Sequence, residues 1–159
     1  MENNSKKLPT LQRIIASAVV VSGDGKVLMG RKNPKGGGVY ADAWHIPGGG
    51  VEPGEGLEEA MRRELSQEVR GIDLEEAKVE QLDNVGRGET TKVVDGKQYW
   101  CEMEFNRFKV TMKEDAETLS GQVQPGDDLV ELHWFGPDEL ASVEQIPGGR
   151  EFFQEIGLI

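Results

Sequence analysis

Between residues 48 and 70 a glycine-rich turn runs directly into an amphipathic helix, and that junction limits the folds open to the chain. Gly48, Gly49 and Gly50 allow a sharp turn and a close backbone approach. Residues 57–70 read as one helix, because Leu57, Ala60, Met61, Leu65 and Val69 recur at three- and four-residue spacing. A single apolar stripe of this kind has to bury itself against another layer. Gly71 stands just past the end, where a left-handed cap is usual.

The flanking segments supply that layer. Residues 14–22 are rich in Ile and Val and read as a buried strand. Gly23-Asp24-Gly25 turns the chain, and residues 26–31 return as the second arm of a hairpin. Residues 44–46 form a short strand, and residues 79–85, 98–110 and 129–135 form further ones. Asp95-Gly96 marks a second hairpin turn. In residues 98–110 Tyr99, Cys101, Met103 and Phe105 alternate on one face, whereas Phe108 and Val110 fall on the other parity, which predicts a bulge near Asn106. Residues 33–43 and 113–128 read as loops, and 137–143 and 149–156 as short helices. Residues 1–12 read as a loose arm and 13–159 as a single domain. Strands on both sides of the central helix predict an α/β fold, a mixed sheet with helices packed on it.

Composition narrows the function. Twenty-nine acids against eighteen bases give a net charge of −11. That balance argues against a broad nucleic-acid binder and against an anionic membrane surface as partner. Cys101 is the only cysteine, and His45 and His133 are the only histidines, so neither a disulfide nor a Cys/His zinc site is expected. The longest apolar run, residues 14–21, is far too short to span a bilayer, and no signal peptide is evident, so a reducing cytoplasmic setting is expected.

Chemistry concentrates in Gly49-x5-Glu55-x7-Arg63-Glu64-Leu65-x-Gln67-Glu68. At 3.6 residues per turn, Glu64 and Glu68 are neighbours on one helix face with Gln67 beside them. Like charges four apart destabilise a helix by a few tenths of a kcal/mol, and a hard cation offsets that repulsion. A solvated acidic face is the competing reading. A turn at Pro53-Gly54 brings Glu55 within reach of the Arg63 guanidinium, which locks the loop to the helix.

Pro47-Gly48-Gly49-Gly50-Val51-Glu52-Pro53-Gly54-Glu55 followed by Arg63-Glu64-Leu65-Ser66-Gln67-Glu68 resembles the Nudix box, G-x5-E-x7-R-E-U-x-E-E-x-G-U with U a bulky aliphatic. The resemblance extends to the surrounding strand order and to Glu131-x-x-Trp134-Phe135, so it covers most of the chain. It implies an α/β/α sandwich. It also implies Mg²⁺- or Mn²⁺-dependent hydrolysis of a diphosphate bond in a nucleoside diphosphate linked to another group. Glu64 and Glu68 match the metal-binding glutamates, the Gly48 carbonyl matches a backbone metal ligand, and Arg63 and Glu55 match the pair that braces the loop. A homodimer is the family expectation. Two departures stand out. Gln67 replaces a glutamate, removing a charge but keeping a neutral oxygen, and Arg70 takes the place of the closing glycine, which predicts one extra residue at the helix end. Gln67 also favours an alternative, a nucleotide-sensing module with little turnover.

An additional acid from outside the box is expected among Glu102, Glu104, Asp127, Asp128 and Glu131, with Glu131 preferred as a metal ligand. Arg31, Trp44, Gly49 and Gly50 are candidates for binding substrate, against ordinary surface and core roles for Arg31 and Trp44. His45 reads as a structural donor and Cys101 as a small buried residue.

Overall fold

In the computed structural model, residues 8–33, 42–143 and 148–159 are described. The expected arm, residues 1–12, and the expected loop, residues 33–43, therefore lie partly outside them. Ten strands and four helices are present among the described residues: β1 (Thr10–Val21), β2 (Val27–Lys32), β3 (Trp44–His45), β4 (Gly48–Gly50), α1 (Leu57–Glu68), β5 (Val69–Arg70), β6 (Lys78–Gln81), β7 (Gly86–Val94), β8 (Lys97–Thr111), α2 (Ala116–Ser120), β9 (Gln124–Pro125), β10 (Leu129–Phe135), α3 (Pro137–Ser142) and α4 (Gly149–Glu155).

The main sheet runs β10-β2-β1-β8-β6, with β3 on β2, β4 on β1 and β7 on β8. β1 and β8 are parallel and the other pairs antiparallel, so the sheet is mixed as expected. Successive side chains of a strand point to opposite faces, and the two faces bury different helices. Ala16, Ala18 and Val20 pack with Phe108, Val110, Trp134 and the α1 residues Ala60, Met61 and Leu65. Val19, Val21, Val27, Met29 and Phe135 pack with Leu140 of α3 and Phe152 and Phe153 of α4. With Ala116 and Leu119 of α2 joining the first cluster, the result is an α/β/α sandwich.

Several expectations need correction. β1 begins at Thr10, inside the expected arm, because Thr10, Leu11 and Gln12 already pair with Trp100, Cys101 and Glu102. No bulge interrupts β8: its register with β1 is constant from Thr10↔Trp100 to Val21↔Thr111. The parity slip has another cause, burial of different faces at the two ends of the strand. Cys101 is buried on one face, and Phe108 and Val110 on the other, under α1. The polar stretch 113–128 hides α2, which Asp115 caps by accepting a hydrogen bond from the Thr118 amide at 2.8 Å. Finally, α1 ends at Glu68 rather than at residue 70. Val69 and Arg70 pair instead with Pro125 and Gln124, so Arg70 is accommodated outside the helix. Gly71 keeps the left-handed conformation, at φ +91, against the Gln122 carbonyl, where no Cβ fits.

Candidate active site

The site begins with a brace. Gly54, at φ +79, turns the loop, and Glu55 meets Arg63 in a bidentate pair, with Nε donating at 2.7 Å and Nη2 at 3.0 Å. This pair holds the Glu55 carboxyl down to about 2 and raises the Arg63 guanidinium further. Nη2 also donates to the Gly50 carbonyl at 3.0 Å, and Nη1 donates to Glu64 Oε1 at 2.9 Å and to Gln67 Oε1 at 3.5 Å. One guanidinium thus ties the loop, the glycine strand and two polar side chains of α1 together. Glu59 reaches back to the Gly56 amide at 3.2 Å and fixes the helix start.

The glycines carry the two acids. Gly48, Gly49 and Gly50 form β4 and pair with Ser17, Ala16 and Ile15 of β1. The Glu64 carboxylate rests on Gly49, where an added Cβ would stand 2.5 Å from its carboxyl carbon. The Gly48 amide donates to Glu68 Oε1 at 2.8 Å. Glu68 is only 3% exposed. Burial pushes its carboxyl up to about 7, with Glu64 and Asp128 adding to the rise and the Gly48 hydrogen bond opposing it.

That environment fits a divalent cation. The buried Glu68 carboxylate accepts the Gly48 amide and has Glu64 beside it, and a hard cation would offset the charge that this pair concentrates. Among the described residues no three acids, histidines or cysteines converge on one point, so the protein offers a half-shell rather than a closed cage. Such a half-shell suits Mg²⁺-type ions, which retain water and take phosphate oxygens.

The other expected residues divide between the two faces. Glu131 pairs with Arg31 across β10 and β2, its Oε2 accepting from Nη2 at 3.4 Å. Both lie on the face of Met29, His133 and Phe135, opposite α1. Trp44 sits there as well, against Phe135 and His133, with the Arg31 guanidinium 5.9 Å from its ring centre. The structure therefore brings Arg31, Trp44 and Glu131 together, but not with Glu64 and Glu68. Strand alternation turns Glu131, the additional acid expected from the sequence, away from α1.

The acid outside the box whose charge reaches Glu68 is Asp128. The Gly126 amide donates to the Glu68 carbonyl at 2.9 Å, and Gly126 packs so tightly on the Gln67 carbonyl that no Cβ fits. Asp127 takes a left-handed φ of 56, which a short polar side chain tolerates, and turns Asp128 onto Lys32 at 3.4 Å. Pro125-Gly126-Asp127-Asp128 is a turn signature, and it was the available signal for this placement. His45 places Nδ1 3.0 Å from the Ile46 carbonyl, and burial lowers its pKa, while its Nε2 is buried with no hydrogen-bond partner among the described residues.

The NUDIX domain family model matches residues 11–158. The chain belongs to the Nudix family. This Nudix protein is 28% identical to the nucleoside triphosphatase NudI of Escherichia coli strain K12 over 122 residues, 77% of this chain and 82% of that relative. Its fold is that of the MutT protein from Methanosarcina mazei Go1, with 22% identity, 94% of each chain covered and a TM-score of 0.63. The Escherichia coli dihydroneopterin triphosphate pyrophosphohydrolase shares the fold at 18% identity, 89% and 92% coverage and a TM-score of 0.67. As a Nudix hydrolase the protein cleaves pyrophosphate bonds in small nucleotide substrates, with the divalent-metal dependence general in the family. No helix among the described residues is long and apolar enough to cross a membrane.

Proposed function

We propose that this Nudix protein hydrolyses a phosphoanhydride bond of nucleoside triphosphates, with Mg²⁺ or Mn²⁺ held by Glu64, Glu68, the Gln67 side-chain oxygen and the Gly48 carbonyl. The substrate class follows the resemblance to NudI. The observation that carries the site assignment is the corner where Glu64 lies on Gly49 and the buried Glu68 accepts from Gly48.

When bound, the cation withdraws charge from the phosphate oxygens and acidifies a water. The chain's own residues do the rest. Glu64 Oε1 is occupied by Arg63, which leaves Oε2 to take the proton of the attacking water. Arg63 fixes that carboxylate and, through Glu55 and Gly50, the loop beside it. Glu68 is shielded from solvent, so its charge acts in a low-dielectric corner. The Lys32–Asp128 pair borders the corner and is positioned to contact a phosphate through Lys32. We assign the protein to the cytoplasm, a setting consistent with its single, buried thiol.

The test is phosphate and pyrophosphate release from nucleoside triphosphates, nucleotide sugars, ADP-ribose and dinucleoside polyphosphates, with Mg²⁺, Mn²⁺ or chelator. Metal-dependent turnover of triphosphates, abolished by Glu68→Gln, is expected. Turnover confined to another class overturns the substrate assignment. Undiminished activity of Glu68→Gln overturns the site.

A further inference from the structure

The sheet face that carries Glu64 continues past α1 onto a second polar group. Gly49, beneath the Glu64 carboxylate, pairs with Ala16, and Ala16 pairs with Asn106. Asn106 therefore lies two strand spacings from Gly49 along one row, about 10 Å. That is about the span from a nucleotide's phosphates to its base. Alternation puts Glu104 and Glu102 of β8 on the same face, beside Ile14 and Gln12 of β1 and Arg87 of β7. Ile14 is 48% exposed, and its carbonyl accepts the Val51 amide, so this face is open and continuous with the box loop.

Asn106 is 5% exposed. Its Nδ2 donates to Glu104 Oε1 at 3.3 Å, and its Oδ1 accepts no hydrogen bond from a described residue. Glu104 Oε2 faces Arg87 Nη1 at 3.6 Å. Both contacts hold the carboxylate in place and leave lone pairs free, since a carboxylate accepts about four hydrogen bonds. A secured carboxylate that solvent can reach is set to accept donors from a ligand.

Phosphates carry no donors and are repelled here, so the group that fits is a base edge. Uracil and thymine offer one ring N–H flanked by two carbonyls. Adenine and cytosine offer an amino group beside a bare ring nitrogen. Guanine alone among the common bases presents a ring N–H beside an amino group, two parallel donors that match one carboxylate. We propose that Glu104, pinned by Asn106, reads the guanine edge of the nucleotide whose phosphates lie at Glu64 and Glu68. This rests on the nucleoside triphosphate reading above.

The experiment compares kcat/KM for GTP, ATP, CTP and UTP in the wild type, Glu104→Gln and Asn106→Ala, with thermal melting to confirm folding. A bidentate base contact discriminates by about tenfold to a hundredfold. The wild-type GTP-to-UTP ratio should be in that range. It should collapse toward one in Glu104→Gln, mainly through KM, because the amide's own N–H groups then oppose guanine's. Asn106→Ala should lower the same ratio by releasing Glu104. A wild type without guanine preference, or an unchanged ratio in a folded Glu104→Gln, overturns the proposal. If no triphosphate is turned over, the hydrolase reading fails on its own. Calorimetric binding of GDP against UDP to the wild type and Glu104→Gln then decides the base reading by the same ratio.

Discussion

Gly49 and Glu64 are in direct contact: a Cβ on the glycine would stand 2.5 Å from the carboxyl carbon of the glutamate. The glycine is thus required by a neighbouring side chain rather than by its own backbone angles. Gly49→Ala should displace the Glu64 carboxylate and lower kcat on the order of 10²-fold, the usual cost of misplacing a reacting group by about an ångström. The flexible end of Glu64 yields, so the melting temperature should change little. A fully active Gly49→Ala enzyme would refute the contact.

Glu68→Gln removes the buried charge but keeps an oxygen that accepts the Gly48 amide, now 2.8 Å away. The fold should persist while turnover falls roughly 10²–10⁴-fold. Circular dichroism and steady-state kinetics on the same preparation separate the two effects. An unfolded variant would mean that the charge itself holds the corner together.

Gln67→Glu adds a carboxylate beside Glu64, at a position whose oxygen is now 3.5 Å from Arg63 Nη1. The concentration of Mg²⁺ or Mn²⁺ giving half-maximal activity should fall about tenfold, a typical response of a metal site to its surroundings. An unchanged or higher metal requirement would remove Gln67 from the metal-binding set.

Glu55 carries a pH signature. Its carboxyl is held at about 2, below the ordinary 4.5, chiefly by the Arg63 hydrogen bonds. A depressed folded pKa gives a contribution present above the unfolded value and lost as pH falls through the folded one. Wild type should therefore melt above Glu55→Gln at neutral pH, and the difference should close between about pH 4.5 and 2. A gap that persists undiminished at pH 2 would show that the pair is not the cause.

The brace was legible in the sequence because Glu55 and Arg63 are eight residues apart and joined by one turn. β10 was legible because its pattern of exposure and burial is its own, and it spans the expected residues 129–135. What depended on distant partners was not. The apolar stripe runs through Val69, so periodicity alone carries the helix past Glu68; the pairing with β9 decides otherwise. Glu131 and Asp128 look alike as acids, and only the register of β10 on β2 separates them. Strand β8 is buried on opposite faces at its two ends, a pattern indistinguishable in sequence from a bulge.

The parallel pairing of β1 with β8 joins residues about ninety positions apart, such as Val21 and Thr111. The brace, the glycine strand and both helix glutamates all lie before residue 69. During synthesis the acidic corner is thus specified by neighbouring segments well before the strand that completes the sheet leaves the ribosome. Closing that long loop is the costly step. The α1 stripe that carries the carboxylates is buried only when Phe108 and Val110 arrive, so β8 is the piece that turns a local arrangement into an enzyme.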